Sequence, residues 1–216
     1  RLYAFDQDPD AWQQADLIDD ERLTLITANF RYLEKYLRLQ GVKQVDGILA
    51  DLGVSSFQLD AAERGFSTRF DGPLDMRMGP SASTTAADVL NTYSAVELQK
   101  LFGMYGEIKN AKTLALAIVQ ARTQKHLETT SEFKEILVKL APRYKEFRYF
   151  AQAFQAIRIE VNQELKVIEE FLEQSPKVLA PKGRLCVISF HSLEDRLVKN
   201  YIRTGDCFGK EDKDMF

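Results

Sequence analysis

The segment Asp46–Gln58 reads DGILADLGVSSFQ and combines an apolar run with residues that can bind a polar ligand. Its apolar residues follow one another without alternation, which is typical of a strand that is covered on both faces. The carboxylate of Asp51 and a loop of small residues come at the end of this run. Open α/β folds bind ligands beside the carboxyl ends of their parallel strands. The segment therefore predicts either a ligand-binding strand end or an ordinary polar turn.

Two earlier strands end in the same way. Residues 2–5 are apolar and end at Asp6, and residues 23–27 (LTLIT) are followed by Asn29 and Phe30. An acidic residue at the end of the second strand of a nucleotide-binding fold hydrogen-bonds ribose hydroxyls. Asp6 could equally serve the start of the next helix. The three strand ends together favour a ligand-binding edge.

Helices are predicted between these strands, from Pro9 to about Ile18 and from Arg31 to Gln40, with Gly41 as the C-terminal cap. This alternation of strands and helices predicts βαβ units and a parallel sheet. The same pattern returns late in the chain. Residues 154–172 carry apolar side chains at intervals of three and four, which predicts a single amphipathic helix. A turn at Pro181 and Gly183, a strand over 184–190 and a final helix complete the core.

Between these two parts the alternation stops. Residues 63–85 are rich in Gly, Pro, Ser and Arg and predict a long ordered loop. Two capping boxes follow, at Ser94 with Glu97 and at Thr129 with Glu132, and they predict an all-helical insertion. The expected domains are residues 1–64 and 151–216 for the α/β core and residues 65–150 for the insertion.

Composition limits the class of protein. The chain has 216 residues, 45% of them hydrophobic, and no apolar run approaches the roughly 18–20 residues that span a bilayer. Cys186 and Cys207 fit no metal or redox spacing, and Cys186 is predicted to be a small core residue. No cluster of metal ligands is evident, so no metal is expected, and a reducing cytoplasm is the expected location.

Positive charge is concentrated in one segment. Residues 105–150 hold nine Lys and Arg against five Asp and Glu, although the whole chain has a net charge of −3. This excess predicts either a solvated helical face or a phosphate-binding surface. The candidate RNA contacts are Lys109, Lys112, Arg122, Lys125, Lys139, Arg143, Lys145 and Arg148.

Taken in order, several segments resemble the bacterial 16S rRNA cytosine-N4 methyltransferases, a family that uses S-adenosylmethionine. The matching segments cover most of the chain; they are FDQDPDAW, ITANFRYLEKYL, DGILADLGVSSFQLDAAERGFS, DGPLDMRM, FQAIRIEVNQEL and APKGRLCVISFHSLEDRLVK. Those at 46–78 and 189–196 (SFHSLEDR) are the most specific. The resemblance implies a Rossmann-like class I methyltransferase core with a helical insertion that recognises the substrate. It also implies 16S rRNA or the small ribosomal subunit as partner, with a target cytidine near the decoding centre.

The resemblance places the cofactor contacts on Asp6, Phe30, Asp51 and Gln58. Asp6 would accept hydrogen bonds from the ribose hydroxyls. Phe30 would face the adenine, or it would simply fill core at a strand end. Asp51 suits the cationic methionine end or the adenine amine. Gln58 can both donate and accept, unless it is a loop residue that faces water.

The reaction that the resemblance implies requires hydrogen-bond acceptors, because the cytosine N4 amine is a two-hydrogen donor. The candidates for substrate positioning are Ser55, Ser56, Asp75 and His191. His191 could instead cap the following helix. The target base must be splayed from the RNA and stacked, and Phe190 or Phe57 is expected to do this.

Two other functions remain open from the sequence. One is a catalytically inert RNA- or ribosome-binding protein, and the other is a nicotinamide-dependent oxidoreductase, which leaves the DGPLDMRM loop and the basic insertion unexplained. The family's first strand and glycine-rich cofactor loop are expected upstream of Arg1, so residues 1–216 alone are expected to be poorly soluble or to bind no cofactor. The sequence does not decide between a monomer and a homodimer.

Overall fold

The computed structural model describes residues 1–15 and 17–209. The chain divides into two compact units. Arg1–Gly53 and the segment from Glu164 onward form a strand–helix unit, and Val54–Gln163 form a helical unit. The helical unit therefore begins before and ends after the insertion limits expected from the sequence. Its assignment to substrate recognition stays a prediction.

The elements alternate in the strand–helix unit and are all helical in the other. In chain order the strands and α-helices of the described residues are β1 Leu2–Phe5, α1 Pro9–Ala15, β2 Leu23–Ile26, α2 Leu33–Leu39, β3 Val45–Asp51, α3 Ser56–Asp60, α4 Ala86–Thr92, α5 Ala95–Met104, α6 Ala111–Arg122, α7 Thr130–Leu140, α8 Glu146–Asn162, α9 Glu164–Val178, β4 Leu179–Ile188 and α10 Ser192–Thr204.

The four strands form two parallel pairs. β1 pairs with β2, with Phe5 opposite Ile26, and β3 pairs with β4, with Leu49 opposite Cys186. The parallel pairing predicted from the alternation of strands and helices is confirmed. The predicted turn at residues 181–183 lies inside β4 as an irregularity: the pairing shifts register opposite Val45–Gly47, Lys182 has a φ of 69°, and regular pairing resumes at Arg184, where the strand was predicted to begin.

One face of the β3–β4 pair is exposed. Ile48, Leu185 and Val187 pack towards the core, whereas Leu49 and Cys186 on the opposite face are exposed. The prediction that this strand is covered on both faces, and that Cys186 is a core residue, is therefore wrong. The alternation of burial along both strands has a simple cause: the core residues of the described chain lie against a single face.

Helices α2, α9 and α10 supply the core of the strand–helix unit. Their apolar stripes bury Leu33 and Leu37 of α2, Phe171 and Leu172 of α9, and Val198 of α10. Helix α9 also contacts the segment that follows β2 and contacts β4. It therefore connects the two strand pairs within this unit.

The amphipathic stretch at 154–172 is two helices rather than one. Gln163 adopts a left-handed conformation with φ of 52° between α8 and α9. The preceding Asn162 is buried, and its side chain accepts from the Met78 N–H and donates to the Met76 carbonyl, both at 2.8 Å. The sequence period alone could not reveal this break, because it depends on partners more than 80 residues away.

The helical unit contains the DGPLDMRM loop in its core. Leu74, Met76 and Met78 of the loop are buried beside residues from the helices. Gly65 allows the loop to close: it has φ of 69°, and a Cβ there would lie 2.0 Å from the Pro73 carbonyl oxygen. The predicted capping boxes at Ser94–Glu97 and Thr129–Glu132 are both present.

Among the described residues, no helix combines the length and apolar character required to cross a membrane.

Candidate active site

Asp6 lies directly after β1, beside the end of β2. Its N–H donates to the Ile26 carbonyl, and its Oδ1 accepts from the Asp8 N–H at 2.8 Å. The Trp12 indole donates to the Asp6 carbonyl at 2.9 Å. Desolvation by burial is the largest influence on the carboxyl group, and the pKa of Asp6 is raised above its ordinary value of 3.8. The side chain is thus held in place at a strand end.

Phe30 begins a short 3₁₀ turn after β2. Its ring packs edge-on against Phe171, with centroids 5.3 Å apart. The next residue, Arg31, forms a two-pronged ion pair with Glu170 of α9, with N···O distances of 2.6 and 2.9 Å. Phe30 is half-buried, so part of its ring belongs to the core, as one of the two sequence-based alternatives proposed. The ion pair of Arg31 holds the backbone next to Phe30 in place, and with it the part of the Phe30 ring that lies outside the core.

Asp51 and the SFHS turn lie together at the ends of β3 and β4. Asp51 pairs with Ile188, and the next N–H, that of Leu52, donates to the Ile188 carbonyl at 3.0 Å. Phe190 leaves β4 with 69% of its surface exposed. Gly53 has φ of 91°, and a Cβ there would lie 3.5 Å from the Phe190 ring. The two strand ends and this aromatic ring form one contiguous group.

Glu194 is a buried carboxylate that the sequence analysis did not identify. It is only 1% exposed, and its Oε2 accepts from the backbone N–H groups of Phe190 at 2.9 Å and His191 at 3.4 Å. His191 completes the capping box, because its Nδ1 accepts from the Glu194 N–H at 3.5 Å. His191 and Glu194 are three positions apart, as in a capping box, and this spacing is the sequence signal from which Glu194 could have been identified.

This geometry gives His191 the helix-capping role that the sequence offered as its alternative. Because Nδ1 accepts a hydrogen bond, the neutral imidazole carries its proton on Nε2. Nε2 lies 3.3 Å from Glu194 Oε1, is shielded from solvent and has no hydrogen-bond partner among the residues that the structure describes. The ring is therefore directed at the buried carboxylate.

Glu164, His191 and Glu194 also form a group of potential metal ligands, with ligand atoms within 4.8 Å of one another. A metal-bound imidazole normally donates its second ring N–H to an acceptor. Here Nδ1 accepts from the Glu194 N–H, so one of the two ring nitrogens already serves the helix cap. The expected absence of a metal stays a prediction.

Three of the predicted site residues lie at the start of α3 in the helical unit. Ser55 is the N-cap: its Oγ accepts from the Gln58 N–H at 3.2 Å, and its own N–H donates to Gln58 Oε1 at 3.0 Å. Gln58 is buried, so it is not a loop residue that faces water. Ser56, the first residue of the helix, is exposed.

Asp75 belongs to the DGPLDMRM loop. It forms an ion pair with Arg77, with N···O distances of 2.8 and 2.7 Å, and it accepts from the Arg77 backbone N–H. Burial alone would raise the pKa of Asp75, but the hydrogen bonds and charge of Arg77 outweigh it, and the pKa is lowered. Asp75 is therefore ionised at neutral pH and can only accept hydrogen bonds.

The basic residues of the insertion fall into two groups. Arg122 donates to the Leu90 carbonyl at 2.7 Å, and Lys125 is paired with Glu132. The other six predicted contacts are exposed: Lys109, Lys112, Lys139, Arg143, Lys145 and Arg148. Arg122 and Lys125 thus have partners within the helical unit, although Lys125 is itself exposed, and the other six cations face solvent.

Comparison with known proteins agrees with the resemblance noted in the sequence. A family model described as the MraW methylase family matches residues 1–210. Three similar proteins are all named ribosomal RNA small subunit methyltransferase H. The one from Cytophaga hutchinsonii is 56% identical over 216 residues, which are 100% of this chain and 72% of the relative. The proteins from Flavobacterium psychrophilum and Bacteroides thetaiotaomicron are 52% and 50% identical over the whole chain, which covers 74% and 70% of them. This chain belongs to the MraW methylase family.

Proposed function

We infer that this chain is an S-adenosylmethionine-dependent methyltransferase of small-subunit ribosomal RNA that acts on N4 of a cytidine near the decoding centre. The observation that carries this inference is the family match over residues 1–210, together with relatives at 50–56% identity over the whole chain. These relatives are named as methyltransferases, and no observation favours the inert binding protein.

The strand ends fit the cofactor by their chemistry. S-adenosylmethionine has two ribose hydroxyl donors, an adenine ring and a cationic methionine end. Asp6 has a carboxylate at a strand end and can accept from hydroxyl groups, and half-buried Phe30 has an aromatic edge for adenine. Asp51 adds a second carboxylate, which is exposed, at the end of β3. Gln58 is proposed as a further contact, although its side-chain oxygen also serves the cap of α3.

The bound cofactor supplies a methyl group on a sulfonium centre, and the chain must present the cytosine amine to it. The amine nitrogen is a poor nucleophile because its lone pair is delocalised into the ring. Acceptors that hold its two hydrogens orient the amine for attack. We propose Ser56 and Asp75 first as these acceptors, because Ser56 is exposed and an ionised carboxylate accepts several hydrogen bonds. Ser55 and His191 already accept from backbone N–H groups.

Phe190 is the aromatic ring that we propose for stacking the splayed base, with Phe57 as the second candidate. Both rings are exposed, and Phe190 projects from a turn whose backbone N–H is bound to buried Glu194. A ring on a fixed turn can stack a base without first paying the cost of ordering that turn. Glu194 acts here as a positioning residue.

Mass analysis of nucleosides tests the function. The protein is incubated with isotopically labelled S-adenosylmethionine and either 16S rRNA or small subunits from a strain that lacks this methylation. We expect a single labelled cytidine with the methyl group on N4. Label on another base, or no label although the cofactor binds, would contradict the proposal. Comparing the two substrates also shows whether naked RNA or the assembled subunit is the partner.

A further inference from the structure

Two aromatic side chains in the turn before α8 are exposed to an unusual degree. Tyr144 is 86% exposed and Phe147 is 88% exposed, more than any other large apolar side chain of the described residues. Leaving such rings in water forgoes the free energy of burying them. Exposed aromatic rings beside polar groups commonly mark a binding surface.

Three segments of the helical unit meet at this turn. Asn110, which precedes α6, donates to the Leu140 carbonyl at the end of α7 at 3.2 Å. The Tyr149 hydroxyl in the first turns of α8 donates to Asn110 Oδ1 at 3.1 Å. One amide side chain thus ties the start of α6, the end of α7 and the start of α8 together.

Six exposed cations of the insertion come from these three segments: Lys109, Lys112, Lys139, Arg143, Lys145 and Arg148. Two glutamates lie in the same segments, and one of them, Glu146, accepts from the Tyr144 N–H at 3.1 Å. The six cations and the two aromatic rings are called the aromatic–basic end. Positive charge dominates it.

Tyr144 is also conformationally strained. Its φ is 63°, a left-handed conformation that is uncommon for a bulky residue and costs free energy. The Arg143 guanidinium carbon lies 5.4 Å from the centre of the Tyr144 ring, which favours an outward-facing stack of cation and ring. Strain of this kind is common at ligand-binding positions.

We propose that the aromatic–basic end binds single-stranded RNA, with unpaired bases stacked on Tyr144 and Phe147 and the phosphates bound by the surrounding cations. The inference rests on the proposed function and adds to it the form of RNA that the insertion binds. Aromatic rings among cations suit a single strand, because its bases are free to stack. A duplex keeps its bases stacked on one another, so their faces are not available to an aromatic side chain.

Fluorescence anisotropy with an unstructured RNA oligonucleotide, and with a duplex of the same length, tests the proposal. Replacing Tyr144→Ala or Phe147→Ala should each weaken single-strand binding by about tenfold, which is typical of one base stacked on an aromatic ring. Duplex binding should change by less than twofold. The slope of affinity against salt should stay the same, because the cations remain.

Matched variants separate stacking from other effects. Tyr144→Phe should bind as wild type, and Tyr144→Leu should be as weak as the alanine variant. Leu116→Ala removes an exposed apolar side chain of α6 and should change nothing. Reversing Lys145 and Arg148 to Glu should flatten the salt slope, whereas reversing the already paired Lys125 should flatten it less.

Tyr144→Gly is the control for misfolding, since it removes the ring and glycine accepts the left-handed conformation without strain. Its melting temperature should not fall although its RNA affinity does. Equal single-strand affinity in wild type and in the Tyr144→Ala, Phe147→Ala double variant would overturn the proposal. So would a change of oligomeric state in the double variant without a change in RNA affinity, because the rings would then serve self-association.

Cofactor binding and methylation are measured on the same proteins. If the wild type binds the single strand through these rings but methylates no rRNA, the proposed function fails and this inference stands. If the wild type methylates rRNA and the double variant binds the oligonucleotide equally well, the inference alone fails.

Discussion

Replacing Glu194 with glutamine exchanges a buried carboxyl group for an amide of nearly the same shape, and the expected loss is that of an ionised carboxylate. Oε2 of Glu194 accepts two backbone N–H groups, from Phe190 at 2.9 Å and from His191 at 3.4 Å. A hydrogen bond to a charged group contributes about 1.5–3 kcal/mol, and one to a neutral acceptor about 1 kcal/mol. The short bond thus loses roughly 1–2 kcal/mol and the long bond less, for a total of about 2 kcal/mol.

For a chain of this size, a loss of about 2 kcal/mol lowers the melting temperature by roughly 4–8 °C. Thermal unfolding followed by circular dichroism measures the change. Glu97→Gln is the matched control, because Glu97 holds the same position in the capping box of α5 but is exposed. Its melting temperature should fall less. The methylation rate of Glu194→Gln should fall more than its cofactor affinity, because the Phe190 turn loses its anchor.

Equal melting temperatures for the Glu194 and Glu97 variants would refute this reasoning. The buried carboxylate would then contribute no more than an ordinary exposed cap. A full methylation rate in a Glu194→Gln protein with a lowered melting temperature would show that the turn does not position the substrate.

Three other predictions concern ionisable groups. In an N-terminally complete protein, Asp6→Ala should weaken S-adenosylmethionine binding by about 1.5–3 kcal/mol in calorimetry. Without the substitution, affinity should fall as the pH is lowered through the pKa of Asp6, which burial raises above 3.8, and unchanged affinity in the variant would remove Asp6 from the site. Burial and the Glu160 carboxylate, which accepts from the Tyr93 hydroxyl at 2.7 Å, raise the pKa of Tyr93 to about 12. The hydrogen bond of protonated Tyr93 therefore stabilises the folded protein fully below pH 10, and this contribution is lost as the pH rises towards 12. Tyr93→Phe should lower the free energy of unfolding by about 1 kcal/mol at pH 8 and remove this part of its alkaline pH dependence, as measured by denaturant titration. Burial raises the pKa of Cys207 to about 11, so a thiol reagent at pH 8 should label exposed Cys186 and leave Cys207 unmodified until the protein unfolds; equal labelling rates would contradict the burial of Cys207.

Features set by neighbouring residues could be predicted from the sequence. The capping boxes at Ser94 and Thr129 depend on residues three positions apart, and both are present. The strands ending at Asp6 and Asp51 were predicted from short apolar runs and are confirmed. The role of His191 stayed open between helix cap and substrate contact, because histidine is not one of the residues favoured at an N-cap, and the structure has it as the cap.

Features set by distant partners could not be predicted. The break at Gln163 follows from the hydrogen bonds of Asn162 to a loop far away in sequence. The exposure of Cys186 depends on which face of β4 the helices cover, and an apolar run does not encode that choice. Likewise, the pairing that sets Arg122 and Lys125 apart from the six exposed cations depends on tertiary contacts.

The pairing of β3 with β4 has a consequence for the folding of this chain during its own synthesis. Leu49 faces Cys186 across this pair, so β3 leaves the exit tunnel about 137 residues before its partner exists. At about 5–20 residues per second, the nascent β3 waits roughly 7–30 s with an open, apolar edge. The helical unit, Val54–Gln163, is synthesised entirely within that interval. Slower translation between Val54 and Leu179 would therefore lengthen the period in which nascent chains can aggregate through β3, without altering the finished protein.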